Sequence, residues 1–256
     1  MFTIATWNVN SLRVRLPHVI DWLQDKQPDV LALQEIKLTD DVFPSEALQE
    51  IGYQAVFAGQ KTYNGVALLS REPATNTITD FPSLDDPQRR VLGANFGDIR
   101  VLNLYVPNGS EVGSEKYAYK LNWLQHLYQY VQAEREQHEK MIILGDFNIA
   151  PDDRDVHDPE AWQDSILVSP EEREALQKIL DLGFHDSFRL FESEAGHFSW
   201  WDYRAAAFRR NRGVRIDLIL ASDALKPLCA SCDTDVEPRK LERPSDHAPV
   251  LAQFDC

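Results

Sequence analysis

Met141-Ile142-Ile143-Leu144-Gly145-Asp146-Phe147-Asn148 is the stretch that decides how this chain reads. Four consecutive large apolar residues describe a strand buried on both faces. The run ends in a glycine, and a carboxylate and an amide follow. Strand ends are where folds built on sheets commonly assemble sites.

The same arrangement recurs along the chain. Phe2–Trp7 runs into Asn8-Val9-Asn10, and Val30–Leu33 ends in Gln34-Glu35. Leu102-Asn103-Leu104 ends in Tyr105-Val106-Pro107-Asn108, Arg215-Ile216-Asp217 opens a further apolar run, and Ser245-Asp246-His247 precedes the last one. Taken singly, each is explained as a turn former or a helix cap. Together they bring carboxylates, amides, one phenol and one imidazole to strand ends.

The remaining pattern predicts strands over Phe2–Val9, Asp29–Glu35, Gln54–Ala58, Val66–Ser70, Ile99–Val106, Met141–Asn148, Val214–Ala221 and Val250–Phe254, with a hairpin signal at Asn64-Gly65. Helical spacing joins Leu16, Val19, Ile20 and Leu23, then Tyr117, Leu121, Leu124, Tyr128 and Val131. Ser169-Pro170-Glu171-Glu172 starts a third helix, with Ala175, Leu176, Ile179, Leu180 and Leu182 on its apolar face and Gly183 as its stop. Strands outnumber helices and no linker divides the chain. The expectation is one α+β domain over residues 1–256, with packed sheets and helices outside. The segment from Ile149 to Pro170 is irregular and acidic, and a loop of that length suggests function.

Composition narrows the choices. At 256 residues and 43% apolar, the chain needs no disulfide or structural metal to form a core. Cys229 and Cys232 form a C-x-x-C spacing late in the chain with only Cys256 left over, so they read as ordinary thiols. No apolar run is long enough to span a membrane and the first residues lack a leader pattern, so a cytoplasmic protein is expected. The net charge of −15 argues against general nucleic-acid affinity. Against it stand Arg204, Arg209, Arg210, Arg212 and Arg215, with a second basic cluster at Arg239, Lys240 and Arg243.

Carboxylates and amides are hard ligands that suit Mg²⁺ or Mn²⁺, whereas zinc would want more His or Cys. No serine or cysteine lies in a nucleophile motif and there is no phosphate-binding P-loop. Metal-assisted attack of water on a phosphoester is the simplest reaction this inventory allows.

Thr6–Asn10, Leu33–Glu35, Tyr105–Gly109, Gly145–Asn148 and Ser245–Pro249 resemble, in order, the signature blocks of the endonuclease/exonuclease/phosphatase superfamily, which is DNase I-like. Phe198–Arg204 and Asn211–Asp217 are similar to the bacterial exonuclease III and AP endonuclease branch. The resemblance implies a four-layered α/β sandwich of two packed mixed sheets flanked by helices. It implies a DNA-repair phosphodiesterase: a 3′→5′ exonuclease with 3′-end cleaning and incision at abasic sites. The expected partner is double-stranded DNA with damaged, abasic or recessed 3′ ends, handled by a monomer with Mg²⁺ that Mn²⁺ can replace. Glu35 would hold the metal with Asn8, Asp146, Asn148, Asp246 and His247 around it. Asp146 would handle the attacking water with Asn148 beside it, and His247, held by Asp217, would donate to the phosphate. Asn8, Asn10, Tyr105 and Asn108 would position the phosphate. Trp200, Val214 and Ile216 match an apolar pocket for an extruded sugar, and Arg204, Arg209 and Arg212 would face DNA. In the 152–168 loop, Gln163 and Leu167 are expected to admit or block a kinked duplex.

The signature blocks are shared with phosphoinositide phosphatases and sphingomyelinases, so those readings stay open. A lipid enzyme should carry an apolar membrane hairpin, of which there is no candidate. An inactive DNA-damage binding module is opposed by the presence of Glu35, Asp146 and His247.

Overall fold

The computed structural model describes residues 1–256. In chain order the first elements are β1 (Phe2–Asn8), α1 (Leu12–Lys26), β2 (Val30–Gln34), α2 (Ser45–Gln49), β3 (Gln54–Ala58), β4 (Val66–Ser70), β5 (Thr75–Ile78) and β6 (Val91–Phe96). They are followed by β7 (Ile99–Tyr105), α3 (Glu115–Arg135), β8 (Met141–Asp146), α4 (Pro159–Trp162), α5 (Pro170–Leu180), β9 (Phe184–Asp186), β10 (Asp217–Ser222), β11 (Cys229–Thr234) and β12 (Val250–Phe254).

Two six-stranded sheets result, one in the order β11-β12-β1-β2-β4-β3 and the other β5-β6-β7-β8-β10-β9. Each is mixed. β1 and β2 run parallel with α1 as their crossover, and β7 and β8 run parallel with α3 between them. The other pairings are antiparallel. Three apolar layers hold the stack. One, including Ile4, Ala32, Leu68, Val101, Ile142 and Leu144, lies between the sheets. A second joins α3 and α5 to the β7–β8 sheet, and a third joins α1 and α2 to the β1–β2 sheet. The sandwich of four layers expected from the sequence is therefore the observed architecture. No helix is long and apolar enough to cross a membrane.

Several elements differ from the sequence reading for identifiable reasons. Residues 214–216 do not extend β10, because Val214 bridges to Trp200 and to Val156 and Arg215 N–H donates to Asp155 O. Strands β5, β6, β9 and β11 escaped the apolar pattern, being short, edge-placed or rich in polar and small residues. Along α3 the buried face runs through Trp123 and Leu127, with Lys120 among them, while Leu121 and Tyr128 are half-buried. The β3–β4 hairpin forms, but Asn64-Gly65 closes a seven-residue loop from Gly59 to Gly65 instead of a two-residue turn. Leu167 is buried against Ala150, Val156, Val214 and Ile216, so only the exposed Gln163 remains available as a gate from that expected pair.

Gly145 has a strict steric reason to be glycine. Its φ is +139°, and a Cβ there would lie 2.0 Å from Leu104 O on the neighbouring β7. Any side chain would wedge apart the parallel strands that carry Tyr105 and Asp146. Gly145→Ala should cost about 2 kcal/mol or more. Urea denaturation at unchanged stability would show that β7 and β8 tolerate separation.

Candidate active site

The parallel pairs end at the same face of the sandwich, which sets the chemistry. β1 delivers Asn8, the residue after β2 is Glu35, β7 delivers Tyr105 and β8 delivers Asp146. β10 begins at Asp217, and Asp246-His247 lie just before β12. Asn10, Glu35 and Asn148 each turn the chain in the left-handed region, with φ of 44°, 51° and 48°. L-residues pay roughly 1 kcal/mol or more for that conformation, and such strain gathers at functional sites. The strand therefore ends abruptly, and the side chain turns inward.

The polar groups interlock. Asn8 Nδ2 lies 2.9 Å from both Glu35 Oε1 and Asp146 Oδ2, bridging the two sheets. Lys37 Nζ stands 2.8 Å from Glu35 Oε2 and donates to Asn10 Oδ1 at 2.5 Å. The Asp246 carboxylate accepts from Asn10 Nδ2 and from Trp200 Nε1, both at 3.0 Å. His247 Nδ1 is 2.8 Å from Asp217 Oδ2, and Nε2 is 3.8 Å from Asp146 Oδ2. Asn148 accepts from Asn108 Nδ2 and donates to Val106 O, each at 3.0 Å. The Arg90 guanidinium stacks 4.6 Å above the Tyr105 ring.

Burial in this crowd reshapes the titrations. It disfavours the His247 imidazolium, but the Asp217 and Asp146 carboxylates outweigh it and push the pKa up to about 10. Asp146 is pushed up to about 7 by burial, partly offset by His247 and reinforced by Asp217. Burial also works against the Glu35 carboxylate, yet Lys37 and the Asn8 hydrogen bond hold it below the usual glutamate value. Burial, helped by Glu35 and Asp146, keeps the Tyr105 phenol protonated. Burial opposes ionisation of Asp246, but His247, Trp200 and Asn10 together keep its pKa depressed.

Glu35, Asp146 and His247 each offer a ligand atom, and these atoms lie within 4.8 Å of one another. Two carboxylates with amides close by form a hard-donor set of the kind a small divalent cation takes. Lys37 sits where cationic charge is needed beside Glu35. These residues fit a divalent metal.

Residues 5–247 match the sequence profile of the endonuclease/exonuclease/phosphatase family. The chain belongs to that family. An exodeoxyribonuclease III from Haemophilus influenzae is 38% identical over 97% of this chain and 98% of its own length. A Neisseria 3′ phosphatase solved with a product DNA hairpin superposes with a TM-score of 0.99 at 49% identity, covering 100% of both chains. An AP endonuclease from Archaeoglobus fulgidus gives 0.97 at 40% identity, again over 100% of both. The family is metal-dependent, and these relatives place this member among its hydrolytic nucleases.

Some expected site residues stand apart from the centre. Arg204 is spent partly on Asp202, 2.6 Å away, while Arg209 and Arg212 are free at the surface. Val214 and Ile216 are buried with Leu167 and Val168, and of the expected apolar pocket only Trp200 is half-exposed. Two arginines of the basic clusters are internal. Arg215 pairs with Asp155 and Asp186 at 2.6 Å each, and Arg239 stacks among Trp201, Tyr203 and Phe208. Cys229 and Cys232 are free thiols on β11, and burial holds both protonated.

Sequence reading missed Lys37 and Lys120. Lys37 lies two residues after Glu35, a spacing that could have flagged it. Lys120 gave no signal, since its position on an apolar helix face becomes meaningful only in three dimensions. It is fully buried, donates to Asn108 O at 3.1 Å and Asn148 O at 2.6 Å, and pairs with the fully buried Glu172. Glu172 in turn closes the capping box with Ser169 at the start of α5. One ammonium thus ties the loops that carry Asn108 and Asn148 to the helix layer. Lys120→Met should cost about 3 kcal/mol or more by stranding the Glu172 charge, and urea denaturation will measure it. Restoration by the added change Glu172→Gln is expected, and a double variant no more stable than Lys120→Met would refute this account.

Proposed function

We propose that this chain is a Mg²⁺-dependent phosphodiesterase acting in DNA repair, one catalytic domain that trims and cleans 3′ ends of double-stranded DNA. The observation that carries this reading is the convergence of Glu35, Asp146 and His247 within 4.8 Å, with the imidazole braced by Asp217. The 3′ phosphatase and exodeoxyribonuclease III relatives support the choice of substrate. Further support comes from Arg209, Arg210 and Arg212, exposed in the segment between Trp200 and Val214. They give an otherwise acidic molecule a local purchase on phosphates.

Charge neutralisation at the scissile phosphate is what a divalent ion held by Glu35 and its neighbours supplies, and Mn²⁺ has the same donor preference. The protein side chains do the rest. Asp146 takes the proton of the attacking water, a task for which a carboxylate titrating near neutrality is suited. Asn148 and Asn108 hold phosphate oxygens through their amides, with Asn8 fixing Glu35 against Asp146. The protonated His247 directs Nε2–H at the non-bridging oxygen where charge accumulates. Tyr105 remains a neutral phenol and donates its O–H to the phosphate. Trp200 and Asn10 occupy both oxygens of Asp246, which keeps that carboxylate oriented beside the site.

Cleavage at internal abasic sites is the second reading, favoured by the Archaeoglobus relative. It ranks lower because Val214, Ile216 and Leu167 pack against one another, leaving little apolar room for an extruded sugar.

Three matched duplexes, with a 3′-phosphate, a recessed 3′-OH and an internal abasic analogue, test the reading with Mg²⁺ and with EDTA. Phosphate release and shortening that EDTA abolishes are expected, with slow or no incision of the third. Inactivity on all three would direct attention to inositol and lipid phosphoesters. His247→Ala should lower turnover by about 100-fold or more without unfolding the protein. Glu35→Gln should raise the Mg²⁺ concentration needed for half-maximal rate, and an unchanged titration would remove Glu35 from the metal site.

A further inference from the structure

His247 is useful only while its Nε2 faces the site, and that depends on how the Asp217 carboxylate is rotated. Three hydrogen bonds meet at the oxygen of Ser199, a fully buried residue. The backbone N–H groups of Ile216 and Asp217 each donate to Ser199 Oγ at 3.0 Å, and the Ser199 hydroxyl donates to Asp217 Oδ2 at 2.6 Å. A serine hydroxyl has one hydrogen and two lone pairs. Backbone N–H groups occupy both lone pairs, so the single proton has one direction left, towards Asp217. Oδ2 is also the atom facing His247 Nδ1, whereas Asp217 Oδ1 is buried with no partner. All hydrogen bonds to this carboxylate therefore fall on one oxygen, and Ser199 makes one of the two side-chain contacts there.

The backbone around Ser199 serves the same alignment. Ser199 N–H and Trp200 N–H both donate to Val214 O, and Val214 N–H returns to Trp200 O. On the other side Trp201 N–H donates to Asp246 O and Ala248 N–H donates to Ser199 O. Residues 199–201 are thus a rung between the segment leading into Asp217 and the segment carrying His247.

We propose that Ser199 is a positioning residue for phosphoester hydrolysis, its hydroxyl locking the Asp217 carboxylate in the rotation that aims His247 Nε2 at the phosphate. The proposal rests on the nuclease reading of the site. With the Ser199 hydroxyl proton removed, Asp217 keeps only the histidine contact and is free to turn Oδ1 towards the ring.

The experiment compares the wild-type chain with Ser199→Ala and Ser199→Thr on the 3′-phosphate duplex. It repeats the alanine change in an Asp217→Asn background, with thermal unfolding of every variant. The downfield ring-proton resonance of His247 Nδ1–H, recorded by NMR without substrate, is a second readout. Ser199→Ala should lower kcat on the order of 10- to 100-fold, as loss of an orienting partner does elsewhere, with KM changed less than about twofold. It should also displace or broaden the ring-proton resonance. Ser199→Thr, which keeps the hydroxyl, should stay near wild type in both. If the alanine variant does not fold, Ser199→Cys keeps the volume with a weak donor and carries the same expectation. In the Asp217→Asn background the alanine change should cost less than about twofold more, because the two act through one contact. An unchanged kcat in Ser199→Ala, a threonine variant as impaired as the alanine one, or equal losses in both Asp217 backgrounds would overturn the proposal. A wild-type chain inert on every duplex would overturn the nuclease reading instead. The ring-proton comparison would then decide the Ser199–Asp217–His247 contact by itself.

Discussion

Gln34 and Asn103 face each other inside the sandwich, and the relation between the two sheets depends on them. Gln34 Nε2 donates to Asn103 Oδ1 at 2.7 Å and to Thr6 Oγ1 at 2.9 Å. Asn103 Nδ2 donates to Leu33 O at 3.0 Å and Ala67 O at 2.9 Å. Both amides are fully buried, so sliding one sheet over the other would strand several polar groups away from water. An apolar interface has many nearly equal packings, but this one has a marked position. Glu35 follows Gln34 directly and Tyr105 lies two residues beyond Asn103, so the distance between these two site residues is set by that pair.

The electrostatic design follows from the same geometry. Four carboxylates from four segments, Glu35, Asp146, Asp217 and Asp246, are drawn to one end of the molecule, where Coulomb repulsion would otherwise open the site. Lys37 and Asn8 offset it at Glu35, His247 offsets it between Asp146 and Asp217, and Asn10 and Trp200 tie down Asp246. Behind the site, Lys120 is neutralised by Glu172, and Arg215 by Asp155 and Asp186. The net charge of −15 is thus unevenly spread: Arg215 and Arg239 are internal, while the exposed Arg209, Arg210 and Arg212 cluster in one segment.

Much of the architecture was legible in the sequence because the central strands are continuous apolar runs, and runs such as Met141–Leu144 have no other simple reading. The candidate site was legible only as a set: singly, Glu35, Asp146 and His247 read as turn formers or caps, and it is the recurrence of polar residues beside the apolar runs that pointed to one face. The edge strands were hidden, since β9 and β11 owe their pairing to neighbours more than to their own side chains. Leu167 read as a surface gate because a loop gives no periodicity from which to infer burial. Arg215 and Arg239 read as surface charge because their partners, Asp155 and the aromatic cluster around Trp201, are distant in sequence or join only through folding.

The order β11-β12-β1-β2 has a consequence for the life of the nascent chain. β12 inserts between β11 and β1, and His247 is carried by the three residues that lead into it. Until residues 245–254 have docked, β1 has an open edge, and Asp246 and the imidazole are both missing from a cluster that already holds Glu35, Asp146 and Asp217. A chain in which this strand has not docked therefore lacks both Asp246 and His247 at the cluster. Docking of one strand completes the sheet and the polar cluster in the same event.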